Sequence, residues 1–211
     1  LPKDRYYLYR SVWNKDAETL HILPHWTWPG REGEVTPVFV YTNYPTAELF
    51  INGKSYGKQS KNNSSLKNRY RLMWMDAVYE VVAYNKEGKA VAEKVVRTAG
   101  KPHHIELVSN RNELTADGKD LAYVTVKVVD KDGNLCPTDN RQINFSAKGT
   151  GKYRAAANGD PTNLEQFHLP KMHAFNGMLT AIIQAGETAG EIVFTAKANG
   201  VKAGNIRIQT K

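Results

Sequence analysis

The chain has 211 residues, a hydrophobic fraction of 41% and a formal net charge of +8. That length suits one large β domain or two of about 100 residues, each able to bury its own core, and no apolar run approaches the roughly 20 residues that cross a bilayer as a helix. The only cysteine, Cys136, excludes an intrachain disulfide and lacks the Cys-x-x-Cys spacing of a zinc or redox pair, which leaves the compartment open.

The chain opens Leu1-Pro2-Lys3-Asp4, without Met or an apolar signal core, and is expected to be a piece cut from a longer protein. The segment 4–13 crowds Tyr6, Tyr7, Tyr9, Val12 and Trp13 without clean alternation, so helical spacing fits it as well as strand spacing. Such an aromatic segment needs something to pack against. From there strand signals dominate. Alternation predicts strands over 35–41, 47–51, 70–74, 81–84, 122–129, 143–147, 178–184 and 191–198. Asn52-Gly53 and Asp132-Gly133-Asn134 sit between apolar runs and predict hairpin turns, because Asn and Asp tolerate left-handed backbone and Gly adopts it freely. Short strands at this spacing, with no convincing amphipathic helix between them, predict an all-β chain of antiparallel β-sandwiches. Thr98-Ala99-Gly100-Lys101-Pro102 breaks the pattern before a fresh series begins at Ile105, which places a boundary near residue 100. A weak echo between 81–89 and 128–134 agrees with two domains, or reflects only common hairpin chemistry.

Little in the chain points to chemistry. Glycoside hydrolysis needs two facing carboxylates, but Asp130 with Asp132, Asp117 with Asp120, and Glu32 with Glu34 all read as turn or surface groups. Residues 130–134 resemble a calcium loop only faintly, since the later ligands are missing. His103-His104, His21 with His25, and His168 with His173 have no recognised ligand spacing, so neither a metal nor a cofactor is expected. Lys54, Lys58, Lys61, Lys67, Arg69 and Arg71 form a basic stretch without an acid, open to a polyanion-binding or adhesin-like reading; a solvated strand face explains it more simply, and nucleic acid is not an expected partner. Asn62-Asn63-Ser64-Ser65 fits a glycosylation acceptor or a plain polar loop. Trp26 and Trp28 alternate, which on a strand would put both on one face. Exposed, they and Trp74 are candidate platforms for a galactose-containing oligosaccharide; buried, the pair anchors a core or an interface, which is the preferred reading.

Several segments resemble the C-terminal part of the Bacteroidetes-type β-galactosidases of glycoside hydrolase family 2. Leu1-Pro2-Lys3-Asp4-Arg5-Tyr6-Tyr7-Leu8-Tyr9-Arg10-Ser11-Val12-Trp13 looks like the last helix of that family's catalytic barrel. His21-Ile22-Leu23-Pro24-His25-Trp26-Thr27-Trp28-Pro29-Gly30 resembles the opening strand of the sandwich that follows, continued by 38–43 and 48–55. The second half is similar to the family's terminal immunoglobulin-like domain, related in style to invasin repeats, through 114–124 and Ala157-Asn158-Gly159-Asp160-Pro161-Thr162, followed by His168 and Phe175. The resemblance implies a barrel tail over 1–14, a first sandwich over 15–99 and a second, immunoglobulin-like sandwich over 100–211. It further implies a retaining parent enzyme, periplasmic or extracellular and open to oligomerisation, whose two catalytic Glu residues lie on the upstream barrel. No catalytic position transfers to this chain, and the upstream barrel is the implied partner. One departure stands out. The family carries a Pro-Gly-containing turn after the positions of Tyr79-Glu80, whereas Val81 follows directly here, which reads as a shortened turn or as missing chain.

Overall fold

The computed structural model describes residues 2–14, 16–31, 33–60, 68–73 and 78–211. It divides into two compact units, Pro2–Thr98 and Ala99–Lys211. Trp74 and the Asn62-Asn63-Ser64-Ser65 segment lie outside the described residues. Among those described, no helix is long and apolar enough to cross a membrane.

The first unit opens with helix α1 (Asp4–Trp13), so the ambiguous aromatic segment is helical. Asp4 in its first turn and Arg10 in its last complement the helix dipole. One side of α1 is packed: Ser11 is buried, and Tyr7 stacks on His21 with ring centroids 3.9 Å apart. The other side carries Tyr6 and Tyr9, each 49% exposed, and Trp13 at 73%. Among the described residues seven strands follow: β1 (Leu20–Leu23), β2 (Val35–Thr42), β3 (Thr46–Ile51), β4 (Lys54–Ser60), β5 (Asn68–Met73), β6 (Val78–Tyr84) and β7 (Ala90–Arg97). They form two antiparallel sheets, ordered β1-β2-β5 and β4-β3-β6-β7. Val38 and Val40 of β2, Ala47, Leu49 and Ile51 of β3, Val81 of β6 and Trp26 make the core.

The predicted Asn52-Gly53 hairpin is present. Both residues have positive φ, 49° and 77°, and Ile51 pairs directly with Lys54, as a two-residue primed turn requires. The shortened turn at Glu80–Val81 is not: β6 runs straight through, with Glu80 opposite Phe50 and Val81 opposite Leu49. A strand hydrogen-bonded to neighbours on both sides has no room for a turn there.

The second unit holds β8 (His104–Ser109), β9 (Glu113–Leu114), β10 (Leu121–Val129), β11 (Gln142–Gly149), β12 (Gly151–Ala157), β13 (Lys171–His173), β14 (Met178–Ala185), β15 (Gly190–Lys197) and β16 (Gly204–Thr210). Its sheets run β12-β14-β10-β8 and β13-β11-β15-β16-β9. All strand pairings are antiparallel except the short β9, which joins β16 in parallel. Strict alternation sets the core. Ala122, Val124, Val126 and Val128 of β10 and Leu179, Ala181, Ile183 and Ala185 of β14 point inward from one sheet. Ile143 and Phe145 of β11, Ile192, Phe194 and Ala196 of β15, and Ile208 of β16 meet them from the other. The all-β sandwich class read from the sequence is therefore the observed one. Strands β4, β7, β12 and β16 carried no clear sequence pattern; β4 and β7 are the two edges of their sheet, and most of their residues are exposed.

Candidate functional site

Trp26 and Trp28 do not form a shared platform. Residues 25–28 are irregular chain after β1, bracketed by Pro24 and by the Pro29-Gly30 turn, so the period-2 argument that put Trp26 and Trp28 on one face does not apply. Trp26 is wholly buried in the first core, and its carbonyl accepts a hydrogen bond from Thr98 Oγ1 at 3.2 Å. Trp28 is covered in another way. His25 stacks on it at 4.1 Å and the Arg31 guanidinium sits 4.9 Å from its ring centroid, while Arg31 Nε donates to Glu34 at 2.7 Å. Trp28 Nε1 is buried without a hydrogen-bond partner. Burial holds the His25 imidazole below its ordinary pKa, against the opposing pull of Asp4. Trp26 thus takes the core role preferred from sequence and has no face left to stack on a sugar.

The carboxylates are committed to turns. Asp130 is 2% exposed and accepts from the backbone N–H groups of Gly100, Asp132 and Asn134 and from the Asn134 side chain. Burial works against its ionisation, but these donors outweigh it and hold the carboxyl below the usual range. Asp117 accepts from Lys119 N and Asp120 N, both at 2.8 Å, which lowers its pKa. Asp120 accepts from Thr115 N at 2.8 Å and pairs with Arg111. Cys136 is buried, and its thiol is pushed up to about 11, by burial first and then by nearby Asp130 and Asp139. It is held as an unreactive thiol at neutral pH.

The histidines are dispersed. His21 Nε2 meets Asp4 at 2.8 Å, His103 Nδ1 and His104 Nδ1 lie 3.0 Å apart, and His173 Nδ1 is 3.0 Å from Glu165. Among the described residues no group of three or more His, Cys, Asp or Glu is placed to hold a metal ion.

The basic stretch meets an acid that sequence order hides. Glu48, across the β3–β4 hairpin, lies 3.8 Å from Lys58 Nζ, and Lys58 also sits 3.8 Å from the Tyr84 ring centroid. Hydrogen bonds of 2.7 Å from Ser55 and Tyr84 hold Glu48 low, and the same contact pushes the Tyr84 hydroxyl up to about 12.

Two features lay beyond sequence reasoning. One is the outward aromatic row of α1, Tyr6, Tyr9 and Trp13, with Tyr9 and Trp13 stacked at 4.6 Å. The other is a groove of about 520 Å³ in the second unit, formed by the loop after β12 and the turn after β13. The Asn158-Gly159-Asp160-Pro161-Thr162 motif was its only trace in the sequence, and nothing there indicated a cavity.

Comparison with known proteins fits this geometry. Residues 105–207 match the glycoside hydrolase family 2 C-terminal domain 5, and residues 33–92 match a domain of unknown function, DUF4982. The β-galactosidase BoGH2A of Bacteroides ovatus is 40% identical over 211 residues, covering 100% of this chain and 24% of its own length. A β-glucuronidase of Formosa agariphila is 24% identical over 217 residues, covering 100% of this chain and 21% of its own. The crystal structure of a β-glycosidase from Bacteroides vulgatus superposes with a TM-score of 0.93 at 30% identity, over 99% of this chain and 27% of that one. The chain thus spans about a quarter of the length of the relatives it matches.

Proposed function

The chain belongs to the C-terminal domains of the Bacteroidetes-type family 2 glycoside hydrolases, and from this premise we propose that it is the non-catalytic accessory end of a longer β-galactosidase-type enzyme. Coverage carries the reading: a β-galactosidase matches every residue of the chain and yet is about four times as long. The commitment of Asp117, Asp120 and Asp130 to turns supports it. The galactosidase assignment is preferred over glucuronidase because identity to BoGH2A is 40% over the whole chain, against 34% over 166 residues for one putative β-glucuronidase and 24% over the whole chain for another β-glucuronidase.

In this proposal α1 is the tail of the upstream catalytic barrel, and Tyr6, Tyr9 and Trp13 are the side chains it turns toward that barrel. Each such aromatic removes roughly 150–250 Å² from water when covered, which makes them natural anchors of a domain contact. The parent would be a retaining hydrolase exported to the periplasm or the exterior, with its second sandwich of the immunoglobulin-like kind.

The test has two arms. The 211-residue chain should not cleave a chromogenic β-galactoside, and turnover by it would end the accessory reading. In the longer parent, Trp13→Ser should lower stability by roughly 2–4 kcal/mol in urea unfolding. A value near zero would show that the aromatic row does not dock inside the enzyme.

A further inference from the structure

Beyond a supporting role, we propose that the groove in the second unit is a binding site for a neutral saccharide unit. Its walls are the loop that leaves β12 and the turn that follows β13, and its volume of about 520 Å³ falls within the roughly 300–1,000 Å³ span of small-molecule sites.

The groove is pre-formed by a chain of hydrogen bonds that starts at one buried amide. Asn158, 8% exposed, donates from Nδ2 to the His173 carbonyl at 3.0 Å and accepts at Oδ1 from Asp160 N at 3.0 Å and from Asn163 Nδ2 at 3.3 Å. Asp160 in turn accepts from Thr162 N and Oγ1 at 2.9 and 2.7 Å. Asn163 Oδ1 accepts from Glu165 N at 3.0 Å. Glu165 closes the ring, its two oxygens 3.1 Å from His173 N and 3.0 Å from His173 Nδ1. Side chains braced in this way lose little entropy when a ligand arrives.

The same groups keep capacity for a ligand. An amide nitrogen has two hydrogens and a carboxylate oxygen about two lone pairs, so Asn158 and Asn163 retain donors and Glu165 retains acceptors. With Nδ1 engaged by Glu165, Nε2 is the His173 ring nitrogen left to meet a ligand hydroxyl. Adjacent planar amides, a carboxylate and an imidazole match vicinal hydroxyls, which donate and accept at once. Apolar contact for the C–H face of a pyranose comes from Phe175 in the lining and from Leu164, which is 97% exposed at the rim. Phe167 on the same loop is 55% exposed.

Charge narrows the ligand class. Asp160 and Glu165 are in the lining and, among the described residues, no lysine or arginine is. A sugar acid would bring its own carboxylate against these two, and the repulsion favours a neutral hexose over a uronic acid.

The molecule also supplies an internal control, since Trp13, Trp26, Trp28 and Trp74 all precede residue 99 and the second unit has no tryptophan. Isothermal calorimetry of the 211-residue chain with lactose and with glucuronate, alongside tryptophan fluorescence, tests the proposal. Lactose is expected to saturate with a dissociation constant on the order of 1 mM without changing tryptophan emission, and glucuronate to bind at least about tenfold more weakly. Asn163→Ala should weaken lactose binding at least about tenfold. Leu164→Ser, at a side chain too exposed to matter for folding, should weaken it severalfold with an unchanged melting temperature. Four outcomes overturn the proposal: no saturation by lactose, equal binding of glucuronate, binding that quenches tryptophan and survives both substitutions, or saturation by spermidine with none by sugar, which would mark a cation site. None of these bears on the accessory role, which the turnover assay and Trp13→Ser test separately.

Discussion

Asp130 shows how one buried carboxylate can hold a turn. Its donors come from Gly100, Asp132 and Asn134, so the charge is satisfied inside the fold and its folded pKa lies below the ordinary 3.8. A depressed folded value means the ionised form stabilises the fold. That contribution is fully present above the unfolded value and is lost as pH falls through the folded one. Asp130→Asn should therefore cost about 2 kcal/mol at pH 7. In urea unfolding across pH it should also flatten the loss of stability that the wild type shows below about pH 4. An acid limb identical to the wild type would mean that Asp130 is not the group responsible. The sequence placed this residue in a turn and could not show that it is buried, because the donor from Gly100 comes from a segment 30 residues away.

At the scale of elements, the hairpins separate what sequence specifies from what packing specifies. Gly53 has φ +77° with nothing within 4 Å of where a Cβ would stand, so Gly53→Ala should cost only the backbone term, about 1 kcal/mol. Gly149 has φ +99°, and a Cβ there would run into the Glu191 carbonyl of the paired strand. Gly149→Ala should cost more than about 2 kcal/mol, and chemical denaturation of the two variants compares them directly. Only the first glycine announced itself, through the Asn-Gly pair. Inner strands such as β10 and β14 were legible because each buries alternate residues, although β16, also paired on both sides, was not. The edge strand β4 was not, since no face of Lys54–Ser60 is buried and composition there follows solvent rather than core.

At the scale of the molecule, the described residues form two separate cores, one around Trp26 and Leu49 and one around Val126 and Phe194. Each should respond to its own substitutions. In calorimetry, Leu49→Ala is expected to shift one unfolding transition and Phe194→Ala another, each by about 3–4 kcal/mol; a single transition moved equally by both would mean that the cores unfold as one. The sequence by itself determined the all-β class, most inner strands, the Asn52-Gly53 turn and, through motifs spread along the chain, the family, because alternation and turn chemistry are local properties written into neighbouring residues. The tertiary structure alone decided that Trp26 is core and that Lys58 faces Glu48. It also decided that β6 runs unbroken through Glu80–Val81, that α1 turns Tyr6, Tyr9 and Trp13 outward, and that Asn158, Glu165 and His173 brace one groove. Each of these depends on which distant segments meet, and a linear pattern does not encode the direction in which a side chain leaves an irregular stretch of chain.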